Sequence, residues 1–471
     1  MKESYSSLKQ ISGPEKGTAV PVMFFEMERM LHMKHATVLF CILSAMLLTS
    51  CGKPQEAPRT ESSSPSVMIQ ENADSAEREE IELQMVTGAY GMDMQIASQQ
   101  GFYRYSASIS DASESGSGNI LYTDFASATE IALCSRPDCR HSDESCTSWF
   151  PFRGGKLFLN ADRTVLFLVG SAGFPESGDQ LWRMNPDGSG RTLLYECKSG
   201  ERFSDAVASD GKDIYITLST LNVGNSESGQ KLMRIDPETG EAVELFSFSS
   251  LKALKSAFDD RLVFWEKNEY NAMMEYSLYS LSSGEWSEVY SYPAEGKAPE
   301  QGVGAYPDCA YLYIFAQSGG WQAEVRKLDI RTGSVQTLCT GLPYFGPDSF
   351  FVSGLLDGKI KVTLADTRAN DPALIEHYCY WIDCETGELT ENTLEYPLGE
   401  ITQFVAVLAE YEDSFLVQRG VEYVPVMLTG TDGTAYESTV ETPVYAMISR
   451  ADYFANHPAY QDIVSAVLPG A

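Results

Sequence analysis

The chain has 471 residues, with 66 acidic and 34 basic side chains, so its formal net charge at pH 7 is −32. A surface that acidic repels phosphate backbones and anionic lipid headgroups, which argues against nucleic acid as a partner. The chain is also too long for one ordinary core, so we expect either two domains or one large repeat assembly.

The first 50 residues have the order of a secretory signal peptide. Met33, Lys34 and His35 form a short basic region, and residues 36–48 are an apolar run too short to span a bilayer as a helix. The sequence LTSCG follows at residues 48–52 and has the form of a bacterial lipobox, in which Cys51 is lipidated on its sulfur and becomes the new N-terminus. The alternative is a buried core segment in which Cys51 has no such role.

We therefore predict a signal peptide at residues 1–50, lipidation of Cys51, and a protein held at the outer face of the cytoplasmic membrane or the cell surface of a bacterium. Several acyl chains on one cysteine anchor firmly, because each buried methylene adds about 0.8 kcal/mol. Residues 1–32 fit no signal-peptide plan, and we predict that translation starts at Met30 or Met33.

Residues 51–84 read as a disordered linker. The segment is rich in Ser, Pro and acidic residues and has few side chains that could be buried.

Removing the five basic and four acidic residues of the first 50 leaves a net charge of −33 for the remainder. A charge of that size is usual for a solvated surface, and it also favours cationic partners in the envelope.

One sequence pattern recurs along residues 85–450. It is a short apolar strand, then Asp, Asn or Ser, then a turn that ends in Gly, then a second strand. The clearest copies lie at residues 181–188, 232–240, 276–284, 325–333 and 379–387. A second polar turn precedes most copies by about 25 residues, for example at Asp210 and Asp357, so each unit holds two hairpins.

Four strands in a period near 50 residues are typical of a β-propeller blade. We count about seven units and predict an all-β propeller of six to eight four-stranded blades, with seven the best fit. Residues 451–471 are predicted to form a C-terminal tail with a short helix. We also expect residues 94–97 or 102–105 to pair near the blade that contains Tyr445, because propellers close by joining their two ends.

Residues 182–190 resemble the strand-and-turn repeat of TolB-like and WD40-like propellers in bacterial lipoproteins. The whole region 85–450 is similar to uncharacterised cell-surface lipoproteins of Gram-positive anaerobes. The resemblance implies the propeller fold and the extracytoplasmic compartment. It implies no catalytic residues, because the repeat is a folding signature.

A cluster of cysteines is the clearest candidate for chemistry. Cys134, Cys139, His141 and Cys146 lie within thirteen residues and could form a tetrahedral Cys₃His zinc site. The spacing lacks the usual Cys-x₂-Cys element. Disulfides are the simpler interpretation for an extracytoplasmic protein, since eight cysteines remain after Cys41 and Cys51 are set aside. Free thiols in an anaerobic habitat are the third.

Catalytic motifs are absent from the sequence: it has no Gly-x-Ser-x-Gly, His-Glu-x-x-His, P-loop or Gly-x-Gly-x-x-Gly pattern. Most tryptophans are expected to pack between blades, and Trp321, after two glycines, is the candidate for an exposed, ligand-stacking side chain. We therefore predict a binding or scaffolding module for an envelope or extracellular protein or glycan. The alternatives are a glycan-acting hydrolase or lyase, and a metal or redox sensor that uses the cysteine loop.

Overall fold

The computed structural model describes residues 81–87, 93–107, 117–152, 154–172, 177–220, 229–268, 271–366, 368, 375–399, 401–429 and 434–465. The predicted signal peptide, Cys51 and nearly all of the predicted linker lie outside these residues. No helix among the described residues is long and apolar enough to cross a membrane.

Seven four-stranded antiparallel sheets follow one another along the chain and form the blades of a propeller. The predicted fold class is therefore confirmed, with seven blades. The first strand to be described and those of blades 1 to 3 are β1 (Gln84–Met85), β2 (Gln95–Ala97), β3 (Gly101–Ala107), β4 (Gly118–Asp124), β5 (Thr129–Ala132), β6 (Trp149–Phe150), β7 (Gly155–Leu159), β8 (Leu166–Gly170), β9 (Gln180–Met184), β10 (Thr192–Glu196), β11 (Glu201–Ser209), β12 (Ile214–Thr220), β13 (Gly229–Ile235) and β14 (Ala242–Phe248). Blade 1 is β2–β5, blade 2 is β7–β10 and blade 3 is β11–β14.

Four further blades complete the set. The remaining strands of the described chain are β15 (Ala253–Phe258), β16 (Arg261–Asn268), β17 (Met273–Ser280), β18 (Trp286–Pro293), β19 (Gly304–Asp308), β20 (Tyr311–Gly319), β21 (Gln322–Asp329), β22 (Val335–Pro343), β23 (Phe350–Leu356), β24 (Lys359–Asp366), β25 (Glu376–Asp383), β26 (Leu389–Glu391), β27 (Glu395–Leu398), β28 (Ile401–Phe404), β29 (Ala406–Tyr411), β30 (Ser414–Thr429), β31 (Ala435–Ser449), β32 (Gln461–Asp462) and β33 (Val464–Ser465). Blades 4, 5 and 6 are β15–β18, β19–β22 and β23–β26, a separate hairpin is β27–β28, and blade 7 is β29–β32.

Within the described residues, helix is confined to short segments: 3₁₀ turns at Ala294–Gly296 and Pro347–Ser349, and one α-helix, α1 (Arg450–Phe454). The α1 segment is the short helix expected near the C-terminus, and the Ser449 hydroxyl caps it by accepting from the Asp452 amide. Tyr453 of α1 is buried and lies edge-on to Trp381 of blade 6 and Phe415 of blade 7. The helix thus fills the junction between these two blades.

The recurring Asp of the sequence pattern builds the turn between the third and fourth strand of a blade. The carboxylates of Asp236, Asp329 and Asp383 each accept from the backbone amides two and three residues later. The glycine that ends each turn has a positive φ, for example +75° at Gly240 and +72° at Gly387, which a residue without Cβ adopts at little cost.

The core is divided among the blade junctions. Seven clusters of buried apolar side chains occur in the described residues, one between each pair of neighbouring blades. The cluster that joins blade 7 to blade 1 includes Phe102 and Tyr445, whose rings meet edge-on at 6.0 Å. The ring is therefore closed by side-chain packing at this junction as at the others.

Strand pairing between the two ends differs from our expectation. Residues 95–97 and 102–105 pair within blade 1, and they contact blade 7 through side chains. The inter-terminal strand pair is instead β33 with β5, parallel, with Val464 opposite Thr129. The C-terminal segment returns to cover the outer edge of blade 1, which protects that edge from other strands.

The start of the described chain lies on the inner edge of blade 3. Gln84 and Met85 pair with β11, the first strand of that blade, and Leu83 is buried. The first strands of neighbouring blades face one another around the centre, as β11 and β15 do. The chain's own N-terminal segment thus covers part of the inner wall at blade 3, and the described structure begins before residue 85, the predicted start of the propeller.

The hairpin of blade 7 is longer than the others, because β30 has 16 residues and β31 has 15. Residues 422–427 and 436–442 of this hairpin belong to a separate compact unit. Its exposed side chains include Tyr423, Met427 and Tyr436.

Candidate metal centre and aromatic clefts

The cysteine loop interrupts the outermost strand of blade 1. β5 ends at Ala132 opposite Leu121, and the chain returns as β6 with Phe150 opposite Gly118, so both short strands pair with β4. Residues 133–148 form the loop between them. The loop lies at the outer edge of the blade, where it takes the place of the middle of a continuous outer strand.

The structure brings together all four residues that the sequence singled out. The ligand atoms of Cys134, Cys139, His141 and Cys146 all lie within 4.8 Å of one another, and His141 Nδ1 is 3.2 Å from Cys146 Sγ. Cys146 is buried and the other three are partly exposed. This is the one group of three or more such side chains that converge in the described part of the chain.

Two tight turns and one unusual backbone conformation produce this convergence. The amide of Cys139 donates to the carbonyl of Arg136, and the amide of Cys146 donates to that of Asp143. Between the turns, His141 has φ of +54°, a conformation that is uncommon for a residue with a Cβ. Such conformations persist where the surroundings enforce them, often at functional sites.

Polar groups surround the sulfurs. The Arg136 guanidinium lies 3.0 Å from Cys139 Sγ, and the Ser148 hydroxyl lies 3.1 Å from Cys146 Sγ. For Cys134, partial burial raises the pKa, but hydrogen bonds led by the Arg136 backbone outweigh it and lower the pKa to about 6. Burial raises the pKa of Cys146. The loop thus stabilises thiolate at Cys134, the form of cysteine that binds metals.

All eight cysteines of the described residues are free thiols. The disulfides that we considered as the simpler interpretation are therefore not formed in this structure. The other five cysteines are spread over blades 2, 5 and 6 and their flanking turns, and no second group of convergent ligands occurs among the described residues.

Blade 2 holds the end of the loop. Arg191 donates to the carbonyls of Cys146 and Trp149 at 3.1 and 2.8 Å, and its guanidinium lies 4.0 Å from the centre of the Phe150 ring. Within the loop, Thr147 donates to the Leu133 carbonyl. The geometry of the cysteine loop is therefore connected to the junction between blades 1 and 2.

Trp321 is exposed, as predicted, with 64% of its surface accessible to solvent. It lies between β20 and β21, and the Arg368 guanidinium is 5.5 Å from its ring centre. The same guanidinium packs at 4.8 Å over Phe345, which stacks on Tyr378. The structure thus places Trp321 in a row of aromatic side chains between blades 5 and 6.

A second aromatic feature, which was not predicted from the sequence, is centred on Trp286. This residue opens β18, is 42% exposed, and contributes to two clefts of about 380 and 570 Å³. The smaller cleft lies between β14 of blade 3 and β17 and β18 of blade 4. Its aromatic lining includes Phe246, Phe248 and Tyr276.

The smaller cleft is also lined by charged side chains and serine hydroxyls. Glu275, Glu288 and Lys252 contribute charged groups, and Ser247, Ser249, Ser277 and Ser287 contribute hydroxyls. Glu275 accepts from Asn268 and Asn271 at 3.0 and 3.1 Å, so its carboxylate is held in place. An exposed indole beside carboxylates and hydroxyls can take a ligand that has both an apolar face and hydrogen-bonding groups.

The three histidines that remain after the predicted signal peptide have different surroundings. His141 is in the cysteine loop, His377 is exposed on β25, and His457 contacts the Asp452 carboxylate at 2.8 Å. The one described contact between a histidine and a serine or cysteine is that of His141 with Cys146, within the cluster itself. No Ser-His-Asp or Cys-His-Asp triad occurs among the described contacts.

No family model and no curated protein matches the chain. Among solved structures, an oligogalacturonate lyase from Vibrio parahaemolyticus is 12% identical over 79% of this chain and 92% of its own, with a TM-score of 0.46. An oligogalacturonate lyase in complex with manganese is 13% identical over 71% of this chain and 95% of its own, with a TM-score of 0.39. The β-propeller domain of the Trilobed protease from Pyrococcus furiosus is 9% identical over 81% and 98%, with a TM-score of 0.41. These similarities are remote, and the fold assignment rests on the sheet topology of the chain itself.

Proposed function

We propose that this protein is a lipid-anchored extracytoplasmic β-propeller that binds a neutral glycan in the cleft beside Trp286. The observation that carries the proposal is an exposed tryptophan at the meeting point of the two clefts, with hydroxyls and carboxylates around it. A sugar ring offers an apolar face to an indole and hydroxyl groups to such polar side chains.

The tryptophan is held in a fixed position, which favours binding. Its ring packs against Phe246, Phe264 and Tyr279, with centroid distances of 5.7, 5.4 and 5.1 Å, and the Lys252 ammonium is 5.5 Å from it. A side chain that is already ordered loses little conformational entropy when a ligand stacks on it. The cleft volume of about 380 Å³ also lies within the range of small-molecule sites.

Charge selects among ligands. The chain is strongly acidic, and Glu275 and Glu288 line the cleft, so polyanions such as nucleic acids and acidic glycans would be repelled. Neutral sugars and amino sugars would not be. The predicted anchor at Cys51 and the linker after it would keep the propeller at the membrane surface, where envelope glycans lie.

A glycan-acting hydrolase or lyase is the second candidate, because the two carboxylates of Glu275 and Glu288 lie in the same cleft as the aromatic platform. Paired carboxylates carry out glycoside hydrolysis in most glycosidases. In that case Glu288→Gln would abolish sugar cleavage while leaving sugar binding measurable. If the protein only binds glycans, the wild-type protein should not shorten any oligosaccharide.

The test uses residues 52–471 and a panel of soluble oligosaccharides of glucose, mannose, galactose and N-acetylglucosamine, titrated while tryptophan fluorescence is followed. We expect at least one to bind, and Trp286→Ala to weaken it about 30-fold, which corresponds to about 2 kcal/mol. Trp321→Ala is the matched control and should bind as the wild type does. Melting temperatures check that both variants are folded.

If no member of the panel binds, or if binding survives Trp286→Ala and is lost in Trp321→Ala, the proposed site is wrong. The second result would move the ligand to the aromatic row between blades 5 and 6.

A further inference from the structure

We propose that Cys134, Cys139, His141 and Cys146 bind one Zn²⁺ ion, with all four coordination positions filled by the protein, and that this ion fixes the loop that interrupts blade 1. The site is separate from the Trp286 cleft, and its role is structural.

The ligand set suits zinc. Three thiolates and one imidazole form a standard tetrahedral site, and soft sulfur ligands select zinc or iron over magnesium or calcium. With a Zn–S bond of about 2.3 Å, a regular tetrahedron sets neighbouring sulfurs about 3.8 Å apart. In the structure every pair of ligand atoms already lies within 4.8 Å, so small side-chain adjustments close the site.

The surroundings supply what three thiolates around a divalent ion require. Such a centre carries one net negative charge, and the Arg136 guanidinium 3.0 Å from Cys139 Sγ offsets it. Ser148 Oγ lies 3.1 Å from Cys146 Sγ and donates its own proton to Asn119 Oδ1, so the contact helps to hold Cys146 in position. Contacts of this kind orient and stabilise metal ligands. The left-handed backbone at His141, which aims its imidazole at Cys146, has no other role that the structure shows.

The position of the loop indicates what the ion does. Residues 134–147 leave the sheet, and the described backbone hydrogen bonds within them include the two tight turns at Cys139 and Cys146. At the ends of the loop, Ile120 of β4 accepts from the Leu133 amide and donates to the Ser148 carbonyl. An ion that joins Cys134 at one end to Cys146 at the other would connect the start and the end of the loop. It would thereby position Phe150, which is fully buried, at the junction of blades 1 and 2.

Four protein ligands leave no open position for a water molecule, so the centre is not expected to be catalytic. Cobalt substitution checks this point, because a closed site with three thiolates gives the visible absorption of tetrahedral cobalt. A five- or six-coordinate spectrum would overturn the closed-site assignment.

The principal experiment measures metal content by mass spectrometry on residues 52–471 purified without oxygen and without chelators. We expect one zinc per chain, lost in Cys139→Ser and in His141→Ala. The matched control, Cys309→Ser, changes an exposed cysteine of blade 5 and should retain the zinc. Iron in place of zinc, no metal after zinc is added, or loss of metal in the control as well would overturn the proposal.

A second readout does not depend on the variants folding. The loop has a trypsin site after the exposed Arg140, within the proposed ligand set. Wild-type protein should resist cleavage there, become sensitive after treatment with a strong chelator, and regain resistance when one equivalent of Zn²⁺ is added. Unchanged cleavage across the three states, or a disulfide between any two loop cysteines in the oxygen-free protein, would contradict the proposal.

Discussion

The buried ion pair between Arg104 and Glu130 should be a principal support of the junction between the first and last blades. Arg104 on β3 donates from Nε and Nη2 to the two oxygens of Glu130 on β5, at 2.6 and 2.7 Å. Glu130 is 2% exposed, and it also accepts from Ser465 of β33 at 2.9 Å. The Arg104 guanidinium lies 5.6 Å from the ring of Tyr445 in blade 7.

Glu130→Gln keeps the shape of this side chain and leaves Arg104 without its counter-charge. At an effective dielectric constant of about 20 and a charge separation of about 4 Å, the lost attraction is about 4 kcal/mol. That value lies within the range of about 3–5 kcal/mol for breaking a buried pair. An unfolding entropy of about 2.1 cal/mol/K per residue gives about 0.8 kcal/mol/K for a domain of about 390 residues. We therefore expect the melting temperature to fall by about 5 °C.

Differential scanning calorimetry at one fixed scan rate measures this change. The control is Glu238→Gln, because Glu238 forms a similar two-oxygen contact with Arg183 but is 68% exposed. Exposed pairs contribute about 0–1 kcal/mol, so the control should melt within about 1 °C of the wild type. The double variant Arg104→Met, Glu130→Leu should recover most of the loss, since neither charge is then buried alone. Equal melting temperatures for Glu130→Gln and the wild type would refute the reasoning.

Three further predictions concern the turns, the core and the anchor. Gly387→Ala should destabilise the protein at least twice as much as Gly333→Ala, measured by melting, because both glycines have φ near +70° but only at Gly387 would a Cβ collide with the Leu338 carbonyl. Burial raises the pKa of Tyr445 to about 12, so the folded state favours the neutral phenol. The stability of the protein should therefore fall as the pH rises from about 10 towards 12. Tyr445→Phe should flatten that part of a plot of melting temperature against pH, and an unchanged slope would contradict the assignment. Cys51→Ala should abolish labelling by radioactive fatty acid and release the protein from membranes into the soluble fraction, whereas continued labelling would place the lipid elsewhere.

The blades could be predicted from the sequence because the forces that form them are local. Alternating apolar residues define each strand, and an Asp such as Asp236 with a Gly such as Gly240 defines each turn, so the pattern repeats whenever the fold repeats. The four ligands of the cysteine loop are also near one another in sequence. Their convergence needed only two tight turns and the left-handed backbone of His141, all within the loop, which is why closeness in sequence could indicate it.

Other features depend on contacts between distant segments and carry no periodic signal. The Trp286 cleft exists because β14 and β18 of neighbouring blades lie side by side, and Trp286 in the sequence is not distinguishable from a packing tryptophan. The pairs of β1 with β11 and of β33 with β5 involve only two residues on one side. Strands that short have no alternation of apolar residues to detect. The sequence therefore predicted correctly that blades 1 and 7 meet, but it assigned the inter-terminal pairing to the wrong strands.

The most direct test of the proposed function is a crystal structure of residues 52–471 with the tightest-binding oligosaccharide of the panel. We predict a sugar ring stacked on Trp286, with its hydroxyl groups within hydrogen-bond distance of Glu275 or Glu288. A sugar bound at Trp321 or in the central channel, with the Trp286 cleft unoccupied, would contradict the proposal.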